Sequence, residues 1–241
     1  MEDVKALKLQ IRGVLEVTLK ISRKYFNYTM IRKIAFLVLC VLAVWPVSAQ
    51  IHLPGFQEKL INPALREGYW SAQWIGVPSA RLRDYGVYHF RKTIQLETVP
   101  QTYVIHVSAD NRYKLFVNDS LVSLGPCRGD LSNWNFETLD IARFLKVGKN
   151  TLAAVVWFYG QACPVAQISQ GDAAFLVQGN TEKEKEANTN NSWKCIQDEA
   201  YSISHVGKVN GYYAAGPTEQ IDVANYPEDW ERSNFDDSSW K

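Results

Sequence analysis

Apolar residues between positions 88 and 196 come in short runs of four to nine positions, alternating with polar residues or nearly unbroken. The runs are 88–96, 102–109, 113–117, 121–124, 135–139, 151–159, 173–178 and 192–196. This spacing predicts β-strands, because successive strand side chains point to opposite faces and a half-buried strand repeats every two residues. Turn residues separate the runs: Asp110-Asn111, Asn118-Asp119-Ser120, Gly125-Pro126, Val147-Gly148-Lys149-Asn150 and the stretch 160–164. Asn118 and Asp119 tolerate the positive φ that a tight hairpin needs, so 113–117 and 121–124 are expected to pair through them. Only 141–145 has a helical look, about one turn long. Many short strands without long intervening helices predict an all-β fold: an antiparallel β-sandwich of jelly-roll, galactose-binding-like type.

The pattern differs before residue 50. Arg32 and Lys33 precede an unbroken apolar run from 34 to 47, and Val47-Ser48-Ala49 offers a small-residue exit. A charged start, an apolar centre and a small-residue cleavage site make residues 30–49 a signal peptide, cut before Gln50. The run is shorter than the ~20 apolar residues a membrane-spanning helix needs, so no stable span is expected after cleavage. Export to the periplasm or the extracellular space follows. Met30 already supplies an initiator for this signal, which makes 1–29 a mis-started or non-native extension. The competing reading is an amphipathic extension with Lys5, Lys8 and Arg12 interleaved with leucines and isoleucines. Residues 50–68 have little periodicity and form a lead-in, 69–225 the sandwich, and 226–241 the start of a further, incomplete module in which Trp240 lacks a covering layer.

Composition refines this picture. The whole chain carries 26 Lys and Arg against 25 Asp and Glu. Its formal charge of +1 argues against nucleic acid, whose binding needs an excess of basic side chains. Residues 50–241 taken alone are mildly acidic. They keep three of the 4 cysteines, Cys127, Cys163 and Cys195, so at least one thiol is unpaired. There is no closely spaced Cys or His pair, and the 4 histidines are scattered, so no metal and no cofactor are expected. The polar stretch 181–192 reads as a solvated loop, with Glu182, Glu184 and Glu186 a solvated charge run.

The ordered series Ala109-Asp110-Asn111-Arg112-Tyr113, Leu115-Phe116-Val117-Asn118, Gly125-Pro126-Cys127-Arg128-Gly129-Asp130, Trp134, Leu139-Asp140-Ile141-Ala142 and Gly148 to Trp157 resembles the N-terminal β-sandwich of bacterial α-L-rhamnosidases, glycoside hydrolase family 78. The likeness begins at Trp70-Ser71-Ala72-Gln73-Trp74 and reaches Asn191-Ser192-Trp193-Lys194. It implies a role with rhamnose-containing oligosaccharides or polysaccharides. In that family the catalytic acids lie in a following α/α barrel, so no catalytic residue is carried over here, and the resemblance implies an accessory sandwich truncated before the barrel. A stand-alone carbohydrate-binding module and a purely structural sandwich are the alternatives.

Arg128, Asp130 and Trp134 are candidate sugar contacts: aromatic faces stack on pyranose rings while charged groups meet hydroxyls. The other reading has Arg128 and Asp130 bracing their own loop and Trp134 packing on the sandwich edge. Trp157 and Tyr159 end an apolar strand and are candidates for the same face, or core residues. Trp70, Trp74 and Trp193 read as packing residues. Asp110, Asp119, Asp130, Asp172 and Asp198 read as turn or loop acids, and Asp236 and Asp237 as turn residues.

Overall fold

The computed structural model describes residues 58–241, except 79, 82, 165, 166 and 205–216. The expected signal peptide, the extension before it and residues 50–57 of the lead-in lie outside the described residues.

Ten strands follow in chain order: β1 Gly86–Leu96, β2 Val104–Asp110, β3 Arg112–Val117, β4 Ser120–Gly125, β5 Glu137–Asp140, β6 Gly148–Phe158, β7 Ala174–Gly179, β8 Lys194–Gln197, β9 Tyr201–Ile203 and β10 Glu219–Ile221. They form a five-stranded sheet in the order β4-β3-β6-β1-β8, a three-stranded sheet β5-β2-β7, and a ribbon of β9 with β10. All pairings are antiparallel. The first eight strands sit on the eight runs read from the sequence. β9 and β10 flank residues 205–216 and carry little apolar periodicity. The helical look of 141–145 is a single 3₁₀ turn, Ala142–Phe144. Asn118 and Asp119 have φ of 45° and 71°, as the hairpin between β3 and β4 requires.

The core lies between the two larger sheets. Tyr88, Phe90 and Ile94 of β1, Tyr113, Leu115 and Val117 of β3, and Leu152, Ala154, Val156 and Phe158 of β6 meet Ile105, Val107 and Ala109 of β2 and Phe175 and Val177 of β7. Phe90 stacks on Phe175, with Tyr113 and Trp193 edge-on to the same ring. Trp193 is therefore a packing residue, as its sequence context suggests.

The central strands are buried on both faces. The outward residues of β2, His106, Ser108 and Asp110, lie beneath residues that precede or follow the sheet. His106 bonds Thr138 Oγ1 and Asn180 Oδ1 at 3.0 Å each and lies against Trp70 and Phe136. Asn62 ties the lead-in to Asn180 through two hydrogen bonds. Ile75 pairs with Phe175 as a one-residue extension of the three-stranded sheet.

On the other side, Val87 of β1 and Ala153 and Val155 of β6 form a second apolar cluster with Trp230 and Trp240. The expectation that Trp240 lacks a covering layer is thus corrected. The backbone of Lys241 exchanges two hydrogen bonds with Cys195, and Trp240 is buried beside His89 and Phe235. Arg91, only 2% exposed, reaches through this layer to bond Asp237 and the Trp230 carbonyl. Asp237 also accepts from Lys194, so it is more than a turn residue.

The stretch 181–192 is not a solvated loop. Residues 185–187 form a 3₁₀ turn, and Glu184, Ala187, Asn188 and Thr189 are buried against β7. Glu184 accepts hydrogen bonds from the backbone and hydroxyl of Thr181, and Asn188 Oδ1 accepts from Gly179 N. A polar sequence is buried here because its polar atoms are bonded internally, which removes the cost of desolvating them. Among the described residues no helix is long and apolar enough to cross a membrane, and no group of three or more His, Cys, Asp or Glu side chains could hold a metal ion. Cys127, Cys163 and Cys195 are free thiols.

Candidate functional site

Strand alternation builds one wall of an open groove on the outer face of the five-stranded sheet. On β3, Tyr113, Leu115 and Val117 enter the core, so Arg112 and Lys114 point to the outer face. The pairing register sets Arg112 opposite Trp157 of β6 and Lys114 opposite Leu124 of β4. The ribbon of β9 and β10 supplies a second wall with Tyr201, Glu219 and Ile221, and Tyr159 closes one end. These residues, with Gly125, Pro126 and Cys127, line an open groove of about 410 Å³. That volume is in the range of small-ligand sites.

The aromatic walls are fixed by named contacts. Trp157 meets Tyr201 edge-on at 6.2 Å, and Lys114 Nζ sits 5.0 Å from the centre of the Trp157 ring. Arg112 Nη1 donates to the Pro126 carbonyl at 2.8 Å, which orients the guanidinium along the groove. Glu219 Oε1 accepts from Tyr85 Oη at 2.6 Å. Tyr159 N donates to Asn111 Oδ1, and the chain then turns at Gly160, with φ of 52°. A Cβ there would lie 2.3 Å from the Arg83 carbonyl oxygen, so glycine is required to bring Tyr159 to the groove.

The groove phenols stay protonated. Burial pushes Tyr201 up to about 12 and raises Tyr159 as well. The Cys127 thiol is also pushed up, chiefly by its hydrogen bond with Glu137, and so contributes no thiolate charge near neutrality.

Behind the groove, Asp110 anchors the end of β2. It lies where β2 gives way to β3, is buried, and accepts from Ser169 Oγ, Gln170 N and Asn111 Nδ2. Burial pushes its carboxyl up to about 6 against the opposing pull of those donors. Asp198 lies in the loop between β8 and β9, as its sequence context suggests, and is buried there. It bonds His89 Nε2 at 2.8 Å and accepts from Ala200 N. Burial lowers His89 despite this carboxylate, so the ring is neutral and donates to it.

The five sequence candidates separate. Trp157 and Tyr159 share the groove. Arg128 and Trp134 instead border a crevice of about 10 Å³, formed with Asn111, Pro126, Asn135, Gln167 and Ile168. That space holds about one water and no pyranose. Trp134 Nε1 donates to Ser108 Oγ, and its ring meets Trp74 edge-on at 6.3 Å. Asp130 lines neither space. Its carboxylate accepts from the backbone N–H groups of Ser132 and Asn133 and from Asn133 Nδ2, and these bonds hold it below the usual carboxylate range. Trp74, 45% exposed, is less of a packing residue than its sequence context suggests. With Arg81 and Asp172 it borders a second groove of about 370 Å³.

Sequence reasoning missed Arg112, Lys114, Tyr201 and Glu219. The first two were readable as the outward positions of a strand whose other residues are apolar. The last two depend on a long-range pairing that local pattern does not reveal.

Neither a protein-family model nor a curated protein matches the sequence. Solved structures do. The GH78 family rhamnosidase of Bacillus sp. GL1 matches with a TM-score of 0.60 and 25% identity, covering 72% of this chain and 18% of that one. The α-L-rhamnosidase from Dictyoglumus thermophilum matches with a TM-score of 0.51 and 16% identity, covering 71% of this chain and 20% of that one. The chain spans about a fifth of the length of these enzymes. It therefore matches, over about seven-tenths of its own length, a β-sandwich portion of glycoside hydrolase family 78 α-L-rhamnosidases.

Proposed function

We propose that the chain is a non-catalytic, accessory β-sandwich of an exported α-L-rhamnosidase-type protein that acts on rhamnose-containing plant glycans. The observation that carries this reading is the match to the Bacillus enzyme at 25% identity over 72% of this chain. The make-up of the grooves supports the non-catalytic part. Glycoside hydrolysis uses two carboxyl groups roughly 5 to 9.5 Å apart across the scissile bond. Among the described residues, Glu219 is the one carboxylate lining the 410 Å³ groove and Asp172 the one lining the 370 Å³ groove. Glu219 is moreover engaged by the Tyr85 hydroxyl. The module contributes contact with carbohydrate rather than bond cleavage, and residues 30–49 direct its export.

The test is direct. Purified chain is incubated with an aryl α-L-rhamnoside and titrated calorimetrically with rhamnose-containing oligosaccharides. No hydrolysis and a measurable heat of binding are expected. Turnover by the purified chain would overturn the non-catalytic reading, and absence of binding to every saccharide tried would remove the carbohydrate contact. N-terminal sequencing of the product from expressing cells is expected to begin at Gln50. A mature chain retaining residues before Met30 would refute the export reading.

A further inference from the structure

The groove between β3, β4, β6 and the β9–β10 ribbon carries more positive than negative charge. Arg112 and Lys114 both line it with one lining carboxylate, Glu219, which is already bonded by Tyr85; a second carboxylate, Glu137, stands behind the wall and is engaged by Cys127 N. The remaining polar groups are neutral: the Tyr159 and Tyr201 phenols are held protonated by burial, and Cys127 remains a thiol. Trp157, Tyr159 and Tyr201 supply aromatic surface, and Leu124 and Ile221, 47% and 48% exposed, form apolar rims.

From this arrangement we infer that the groove binds an anionic saccharide, one whose pyranose ring packs on the aromatic wall while a carboxylate or sulfate on the same or the adjoining residue meets Arg112 and Lys114. The inference rests on the carbohydrate-contact reading above and specifies its ligand.

Three features favour this ligand over a neutral sugar. The guanidinium of Arg112 is tethered at Nη1 by Pro126, so it offers a pre-positioned fork of the kind that suits oxyanions. Lys114 is exposed and sits on the aromatic face of Trp157, where an arriving anion meets it without first displacing a protein carboxylate. The groove is open and only partly apolar, so a neutral sugar would leave both cations facing water and gain little from them.

The experiment uses the purified full chain and four probes: a tri-uronate oligosaccharide, the same oligosaccharide with its carboxyl groups reduced to alcohols, a sulfated oligosaccharide of equal length, and a neutral rhamnose-containing oligosaccharide. Binding is followed by calorimetry. Occupancy of this groove is read from the rate at which a thiol reagent labels Cys127, which is exposed and lines it. At least one anionic probe is expected to bind five-fold or more tightly than the carboxyl-reduced one. Its affinity should fall as salt is added, and it should slow labelling of Cys127. The uronate and sulfate arms identify which anion is preferred, and either result supports the inference.

Lys114→Glu is expected to weaken the anionic probe at least ten-fold, and by a larger factor than it changes any binding of the neutral one. Lys114→Gln should fall between. Equal affinity for charged and reduced probes, indifference to Lys114→Glu, or binding that leaves Cys127 labelling unaltered would each overturn the inference while leaving the carbohydrate-contact reading intact. Failure of all four probes to bind would overturn both. Lys114 is exposed and makes no core contact, so its variants are expected to fold.

Discussion

Arg91→Met tests whether residues 226–241 are integral to the sandwich. Arg91 sits on the outward face of β1 with its side chain 1% exposed. Its Nε donates to Asp237 Oδ2 at 2.9 Å, its Nη1 donates to the Trp230 carbonyl, and its guanidinium lies 5.2 Å and 6.0 Å from the ring centres of Phe235 and Trp240. Methionine fills similar volume without charge. Removing one partner of a buried ion pair costs about 3–5 kcal/mol when the other charge is stranded. Here Asp237 keeps Lys194 Nζ at 2.9 Å and is 23% exposed, so that penalty falls at or below the low end. The unpaired Trp230 carbonyl adds about 1–3 kcal/mol, offset by the burial energy of the methionine side chain. A net loss of about 3 kcal/mol is expected, lowering Tm by about 6–12 °C for a domain of this size. Differential scanning calorimetry measures it. Limited proteolysis should show earlier cleavage within 226–241, and tryptophan emission should shift to the red as Trp230 and Trp240 become exposed. A variant within about 0.5 kcal/mol of the parent, with the same cleavage pattern, would refute the reasoning and return 226–241 to the status of a separate segment.

Three further outcomes are expected. Asp110 is displaced from 3.8 to about 6, a shift worth at most about 3 kcal/mol. The folded state binds this proton more tightly, so its contribution is fully present below pH 3.8 and lost as pH rises through 6. Asp110→Asn should abolish that part of the slope in urea denaturation midpoints between pH 4 and 7, and an unchanged difference between variant and parent across this range would count against it. His89 is displaced in the opposite sense, downward from 6.5 by burial, so its contribution is present above pH 6.5 and lost as pH falls through the folded value. His89→Gln, which retains a donor for Asp198, should flatten this acid limb, whereas an equally steep limb in the variant would place the titrating group elsewhere. Asn118→Ala removes bonds to the Phe144 carbonyl, Asn150 Oδ1 and Thr151 N and puts alanine at a φ of 45°. A loss of about 3 kcal/mol is expected by chemical denaturation, and a loss under 1 kcal/mol would show that the hairpin does not depend on this residue.

The eight main strands were legible because each buries at least one face, and burial imposes a period of two or a continuous apolar run on the sequence. The hairpin at Asn118-Asp119 was legible because few residues accept two successive positive φ angles. What escaped reading were features set by distant partners. Glu184 looks like one of three solvated acids, but unlike Glu182 it is enclosed by the Thr181 backbone and hydroxyl. Trp240 is sequence-local to a polar tail, and only part of its cover, Phe235, is near in sequence; the rest, such as His89, is contributed by distant strands. Asp110 sits where β2 meets β3, so its context reads as a turn. Its burial depends on residues 168–171, nearly sixty positions later. Among the site candidates, Trp157 and Tyr159 reached the groove because one strand end carries both. Arg128 and Trp134 were chosen by residue type, as an aromatic and a cation within one loop, and that loop closes on its own crevice.

The groove and the buried tail are two parts of one surface. Along β6, the outward residues run Ala153, Val155, Trp157, and along β3 they run Phe116, Lys114, Arg112. Trp230 covers the first part of both series, meeting Phe116 edge-on at 5.4 Å and joining Ala153 and Val155 in one cluster. Where that cover stops, the outward residues change from apolar to cationic and amphipathic, and the ribbon of β9 and β10 lines the 410 Å³ space with them. A strand position under the tail must be apolar or, like Arg91, have its polar atoms bonded within the layer, whereas a position beyond it is free of that demand. Lys114 and Trp157 thus occupy the first positions at which a charged or amphipathic side chain can face outward at no such cost. The boundary of the tail therefore sets the boundary of the groove, and a perturbation such as Arg91→Met, which loosens the tail, should reach the groove through Trp230 and Phe116 before it reaches the core between the sheets.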